Sequence, residues 1–263
     1  MAERSYFDWN ATTPLRPQAR EALLEALAAS GNPSSVHAEG RAARNLVEHA
    51  RVQVAALIGA QPANVFFTSG GTEANMAALT PAIETAGDKR PRDRLLMSAI
   101  EHSSVRTGGR FPREAIEDIR VTSEGRVDLP ALAEAVGRSS RPLVSLMLAN
   151  NETGVIQPVA EAASIVRAAG GLLHVDAIQA VGRIRCDIGE MGADLVTLSA
   201  HKIGGPKGVG ALVRRGDDIH LSEPLIRGGG QERGFRAGTE NVAGIAAFGA
   251  AAADVARRHH RID

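Results

Sequence analysis

Leu198-Ser-Ala-His-Lys-Ile-Gly-Gly-Pro-Lys-Gly-Val-Gly210 places one lysine, Lys202, between an apolar run and a loop too glycine-rich to be helical. Before it, residues 194–198 alternate and read as a buried strand. After it, Gly204, Gly205, Pro206, Gly208 and Gly210 predict tight turns and close backbone approach. A lysine so placed can meet a ligand. Ser199 and His201 flank it with a hydroxyl and an imidazole, both able to donate hydrogen bonds to an anion such as a phosphate. Read alone, Lys202 is more simply a solvated surface charge, so the rest of the chain has to decide.

Outward from this stretch, the chain alternates short apolar runs with amphipathic ones. Residues 7–14 form a polar turn segment, and Pro17 opens a helix that reaches residue 29 before Gly31. Residues 38–58 carry Leu46, Val47, Ala50, Val54, Leu57 and Ile58 at helical spacing. Residues 65–68 read as a strand that turns through Ser69-Gly-Gly-Thr-Glu73 into an alanine-rich helix predicted to run to Thr85. Strands follow at 94–100, 116–121, 143–149, 172–177, 195–198 and 209–213, with helices at 128–136 (capped by Asp128) and 159–169. This spacing predicts an α/β fold: a mostly parallel sheet with helices on both faces.

In such sheets ligands bind at the carboxyl ends of the strands. The polar groups fall there: the Gly70-Gly71-Thr72 turn, His102, Asn151, Asp176 and Gln179, and the Ser199, His201, Lys202 group each follow a strand end. The Gly-Gly-Thr turn into a helix also suits a phosphate, which meets free N–H groups and the positive end of the helix dipole.

Composition narrows the ligand. The 263 residues can bury a sizeable core, and 44% are apolar. Lys plus Arg (30) equals Asp plus Glu (30), which removes a global electrostatic argument for nucleic acid or an anionic membrane. The single cysteine, Cys186, excludes an internal disulfide framework and a cysteine-ligated zinc cluster, and no metal site is expected. The start carries no apolar signal core, and no apolar run reaches membrane-spanning length, so a cytoplasmic location is expected.

A lysine able to form a Schiff base, a phosphate cradle, an aspartate and an imidazole together describe a pyridoxal 5'-phosphate site. Asp176 would pair with the protonated pyridine nitrogen, unless it is only a turn cap. His102 could stack on the ring and handle protons, or be an ordinary surface histidine. Gln179 and Asn151 are neutral donors for the phenolate oxygen, or merely loop amides. Cys186 reads as an inert small apolar residue.

With these groups in place, the chain resembles the cysteine desulfurases of the class V aminotransferase group. The likeness rests on Asp8-Trp-Asn-Ala-Thr-Thr-Pro14, Gly31-Asn-Pro-Ser-Ser-Val-His37, Phe67-Thr-Ser-Gly-Gly-Thr-Glu-Ala-Asn75, Glu101-His102, Asn150-Asn-Glu-Thr-Gly154, His174-Val-Asp-Ala-Ile-Gln179, the stretch from Ser199 to Ala211, and Gly228-Gly-Gly-Gln-Glu-Arg-Gly-Phe-Arg-Ala-Gly-Thr-Glu-Asn241. The resemblance implies that Lys202 carries the cofactor, His102 stacks on it, Asp176 holds the ring nitrogen and Gln179 the phenolate oxygen. It implies that Gly71, Thr72, Ser199 and His201 hold the phosphate, that Asn151 lies beside the ring, and that Thr239 reaches the phosphate of a neighbouring subunit in a homodimer. The implied substrate is L-cysteine, and the implied partner is a sulfur-acceptor or iron–sulfur scaffold protein.

Two departures stand out. Met76 replaces a polar residue common in the family. The chain stops at Asp263, which leads us to expect a cofactor-binding large domain (1–263) with an N-terminal arm (1–30) and the start of a linking helix (about 240–263). The smaller C-terminal domain, with the family's nucleophilic cysteine and carboxylate-binding arginine, is expected to be missing. Another class V aminotransferase, a selenocysteine lyase and a non-catalytic remnant remain open as alternatives.

Overall fold

A computed structural model describes residues 5–259 of the chain. The first four residues of the expected arm and the last four of the expected linking helix lie outside the described residues. In chain order the elements are α1 (Pro17–Ala28), α2 (Ala38–Leu57), β1 (Val65–Thr68), α3 (Gly71–Ala78), β2 (Ile83–Thr85), β3 (Arg94–Ser98), α4 (Ser103–Arg106), β4 (Ile116–Ile119), α5 (Leu129–Gly137), β5 (Pro142–Met147), α6 (Val159–Ala168), β6 (Leu172–Asp176), α7 (Ile188–Met191), β7 (Leu195–Ser199), β8 (Gly210–Arg214), β9 (Ile219–Leu221) and α8 (Val242–His259).

Seven strands form one sheet in the order β1-β8-β7-β6-β5-β3-β4. The pairs β3/β4, β3/β5, β5/β6 and β6/β7 are parallel, whereas β8 runs antiparallel to both β7 and β1. β1 therefore points the same way as β7, and the carboxyl ends of six of the seven strands open on one rim.

Side chains alternate across a strand, so neighbouring apolar residues enter different cores. Leu96, Val144, Leu173 and Val196 join the larger core beneath α2, α5, α6, α7 and α8. Their neighbours Leu95, Leu143, Leu172 and Leu195 join a smaller one with Ala78 of α3 and Leu79 just after it, Val105 of α4, and Ile83, Ile219 and Leu221 of the β2/β9 pair. Burial on both faces explains why these strands read as near-continuous apolar runs. The expected α/β architecture is what the chain adopts.

One predicted element is wrong. The helix after the Gly-Gly-Thr turn ends at Ala78, not at Thr85, and Ile83–Thr85 is a strand paired with Ile219–Leu221. The cause is Pro81: the residue before a proline is pushed out of the α region, and the Thr80 hydroxyl accepts from the Ala82 N–H instead.

A buried ion pair ties α2 to the segment after β9. Arg51 donates to Glu232 through both terminal nitrogens, at 2.7 and 2.9 Å, and Glu232 also accepts from the Phe67 N–H at 2.8 Å. The two side chains are 4% and 2% exposed. Glu232 (φ 45°) and Arg233 (φ 56°) hold left-handed backbone that non-glycine residues rarely adopt.

Candidate active site

The ends of β1, β3, β5, β6 and β7 deliver Gly71 and Thr72, His102, Asn151, Asp176 and Gln179, and Ser199, His201 and Lys202 to one cavity of about 210 Å³. Every site residue expected from the sequence lines that cavity except Thr239, which is exposed on the loop before α8. Ser104, Met147, Ala149 and Ile178 line it too, without having been singled out beforehand.

At one end the cavity suits an anion. The first N–H groups of α3 have no acceptor within the helix, and Thr72, Ser199 and His201 stand around them. Glycine at 71 leaves room here: a Cβ would displace the end of the Ile178 side chain and crowd Ser199. Burial first, then the charges of Lys202 and Lys207, lower the His201 pKa. The Ser69 N–H and hydroxyl both donate to Glu73 Oε2, at 2.9 and 2.5 Å, and Arg236 Nε donates to its other oxygen at 3.1 Å. This tethers the loop bearing Thr239 to the first turn of α3.

Deeper in, Asp176 is 5% exposed. Its oxygens accept from the Ile178 N–H (3.0 Å) and from Asn75 Nδ2 (2.9 Å). Burial raises its pKa against these bonds. Glu101, next to His102, is buried as well: Oε1 accepts from the Met147 N–H at 2.7 Å, and Oε2 has no partner among the described residues. Burial and then the nearby Asp176 push the Glu101 pKa well up.

The N-terminal segment forms the roof. Lys202 Nζ donates to the Asn10 carbonyl, and to that of Ala11 at 3.1 Å. Gln179 Nε2 donates to the Asn10 carbonyl and Arg183 to that of Trp9, at 2.9 and 2.8 Å. Asn10 Nδ2 reaches the Asn151 carbonyl at 2.9 Å. Burial, then the charge of Arg183, lower the Lys202 pKa, which favours the uncharged amine a Schiff base needs.

Cys186 lies outside the cavity, buried, with its thiol pushed up to about 12 by burial. That agrees with its reading as an inert apolar residue. Among the described residues there is no cluster of three His, Cys, Asp or Glu able to hold a metal, and no helix long and apolar enough to cross a membrane.

A buried carboxylate poised for a cation, a lysine of lowered pKa and an anion cradle within one cavity match the three functional groups of pyridoxal phosphate, and a flat His102 ring lies alongside. Fold and site thus define the cofactor-binding unit of a pyridoxal phosphate transferase-like enzyme. The chain belongs to the class-V aminotransferase family, whose model (Aminotransferase class-V) matches residues 5–260, and pyridoxal phosphate is its cofactor. It is 43% identical to cysteine desulfurase IscS of Dictyoglomus turgidum over 95% of this chain and 64% of that protein. It is 41% identical to selenocysteine lyase of Bos taurus over 97% of this chain and 65% of that protein. A solved NifS-like protein from Rickettsia africae superposes with a TM-score of 0.86 at 36% identity, covering 97% of this chain and 70% of its own. The chain thus spans slightly less than two thirds of these two curated relatives.

Proposed function

We propose that the protein carrying this chain is a cysteine desulfurase: it takes sulfur from L-cysteine, leaves L-alanine, and passes the sulfur through a cysteine thiol to an acceptor. The observation that carries this reading is the convergence of the strand-end residues on one cavity, in a chain 43% identical to a cysteine desulfurase.

When bound, pyridoxal phosphate supplies an electron sink for the bonds at the substrate's α-carbon. The chain's own residues hold it there. Lys202 offers the amine that attaches it. Gly71, Thr72, Ser199 and His201 bind its phosphate, and Asp176 pairs with its ring nitrogen, a cation that offsets the desolvation of this carboxylate. Gln179 and Asn151 would meet its phenolate oxygen, and His102 would cover its ring. Attachment requires Lys202 to release the roof carbonyls of Asn10 and Ala11.

The thiol that receives the sulfur is not Cys186, because a buried group whose pKa lies at about 12 is no thiolate near neutral pH. We assign residues 1–263 to the cofactor-binding large domain, with the N-terminal arm over the site and the linking helix beginning at α8. The exposed Thr239, outside its own cavity, fits a contact to the phosphate of a second subunit, and hence a homodimer. A single buried thiol suits the reducing cytoplasm. The receiving partner is a sulfur acceptor or iron–sulfur scaffold protein.

The 41% identity to a selenocysteine lyase favours one second reading, selenium release from L-selenocysteine. The test is to load the full-length protein that carries this chain with cofactor, incubate it separately with L-cysteine and L-selenocysteine, and quantify alanine, sulfide and selenide. Alanine and sulfur released together from cysteine is the expected result. Turnover of selenocysteine alone moves the protein to the second reading, and no alanine from either substrate defeats both.

A further inference from the structure

Under the cavity floor runs a chain of buried polar side chains, from three strands and two helices, to which the proposed function gives no task. Its centre is Asn75 of α3, with 0% exposure. Asn75 Nδ2 donates to Asp176 Oδ2 and to Ser104 Oγ, both at 2.9 Å, while its Oδ1 accepts from the Thr197 hydroxyl at 2.6 Å. On the far side, Thr197 Oγ1 lies 3.0 Å from His174 Nε2, and His174 Nδ1 lies 2.8 Å from the Ser145 hydroxyl. On the near side, Ser104 Oγ lies 2.8 Å from His102 Nδ1, and the Ser104 backbone N–H donates to the same nitrogen at 3.1 Å.

The direction of every bond in this chain follows from counting protons. A backbone N–H can only donate, so His102 Nδ1 is an acceptor without a proton, and the ring's proton sits on Nε2. Ser104 Oγ accepts from Asn75, which leaves its own proton free to go to His102 Nδ1. The one Thr197 proton goes to Asn75 Oδ1, so His174 must donate from Nε2 and accept at Nδ1 from Ser145. His174 is neutral, since burial lowers its pKa to about 3. A flipped Asn75 amide would turn Oδ1 towards the carboxylate of Asp176, so the amide has one good orientation.

We propose that Asn75 is a positioning residue that reinforces, through the Ser104 hydroxyl, the His102 tautomer that the Ser104 N–H already favours. By making Ser104 Oγ an acceptor it aims the Ser104 proton at His102 Nδ1, so the ring presents an N–H donor to the cofactor cavity while the second Asn75 proton holds Asp176. The role in the reaction rests on the cofactor reading above; the tautomer itself belongs to the chain's own residues and is measurable without cofactor. His102 Nε2 has no partner among the described residues and is the nitrogen left for cofactor or substrate.

The experiment is two-bond proton–nitrogen NMR of the cofactor-stripped protein labelled with 15N-histidine, with the His102 signals assigned by their loss in His102→Gln. In the wild type, Nδ1 should resonate as an unprotonated nitrogen and Nε2 as a protonated one. In Asn75→Leu this separation should narrow towards that of mixed tautomers, because only the Ser104 N–H, at 3.1 Å, then still favours an unprotonated Nδ1. If that variant does not fold, Ser104→Ala decides, because it removes the hydroxyl arm and leaves the Asn75 contact to Asp176. A wild-type ring protonated on Nδ1, or unchanged His102 signals in the folded variant, overturns the proposal. Adding pyridoxal phosphate to the same samples tests the cofactor reading apart: if the His102 Nε2 signal does not respond, that reading fails while the tautomer result stands.

Discussion

The cavity has a floor and a roof made on opposite principles. The floor bonds join side chains to side chains, Ser145, His174, Thr197, Asn75 and Asp176, at sites 0–5% exposed. The roof bonds join side chains mostly to backbone carbonyls of an exposed segment, Trp9, Asn10 and Ala11. A floor group that loses its partner stays desolvated and costs its full penalty, whereas a roof group finds water at once. The floor therefore fixes geometry, and the roof can let go of Lys202 when a ligand arrives.

The sharpest way to break this contrast is Lys202→Ala. It should abolish the borohydride-reducible attachment of pyridoxal phosphate completely, read by intact-mass spectrometry, since no other amine lines the cavity among the described residues. A full adduct on another lysine overturns the placement. Asp176→Asn comes next: it removes the charge meant for the ring nitrogen and sets an amide against Asn75 Nδ2. Loss of one charge-assisted bond, about 1.5–3 kcal/mol, weakens cofactor binding roughly ten- to hundredfold in a spectral titration. Unchanged affinity would remove Asp176 from the cofactor's contacts.

His174 sharpens the floor through pH. Its pKa falls from 6.5 in the unfolded chain to about 3 in the fold, so below pH 6.5 the unfolded state binds the extra proton. Its contribution to stability is thus complete above pH 6.5 and is lost as pH falls towards 3. Melting temperatures of the wild type should drop more steeply over that window than those of His174→Asn, and parallel curves would count against a neutral, fully desolvated ring. The smallest effect is expected in the roof. Asn10→Ala loses only the exposed bond to the Asn151 carbonyl and should shift stability by about 0.5 kcal/mol or less in denaturant unfolding. A loss near 2 kcal/mol would show the roof to be as rigid as the floor.

Much of this was readable from the chain itself, for a local reason: strand β1 at Val65–Thr68 and the Asp128 cap, whose carboxylate accepts from the Ala131 N–H at 3.0 Å, depend on neighbours in sequence. The rim of polar groups was readable because a parallel sheet aligns its carboxyl ends. The strand at Ile83–Thr85 was missed because the alanine-rich run before it favours helix and outweighed Pro81. Asn75 stood inside a recognised motif without a role, since its partners lie 29, 101 and 122 residues away. One sign was present: Ser145, His174 and Thr197 are polar residues inside otherwise apolar strands. Register places Ser145 beside His174, and Asp176 beside Thr197.

The Arg51–Glu232 pair carries a consequence for how this chain can vary. Replacing Arg51 alone leaves the buried Glu232 carboxylate with only the Phe67 N–H, and replacing Glu232 alone leaves buried Arg51 with only Glu48 and the Val65 carbonyl; breaking such a pair costs about 3–5 kcal/mol, a large share of a domain's stability. Replacing both with matched apolar side chains removes that charge problem, yet the intermediate on either one-step route is severely impaired. Drift at these two sites, 181 residues apart, is therefore closed to single substitutions and open only to coordinated ones. The segment from Gly228 to Asn241 is consequently bound to the history of α2 as well as to that of the strand beside it, whose Phe67 N–H Glu232 also holds.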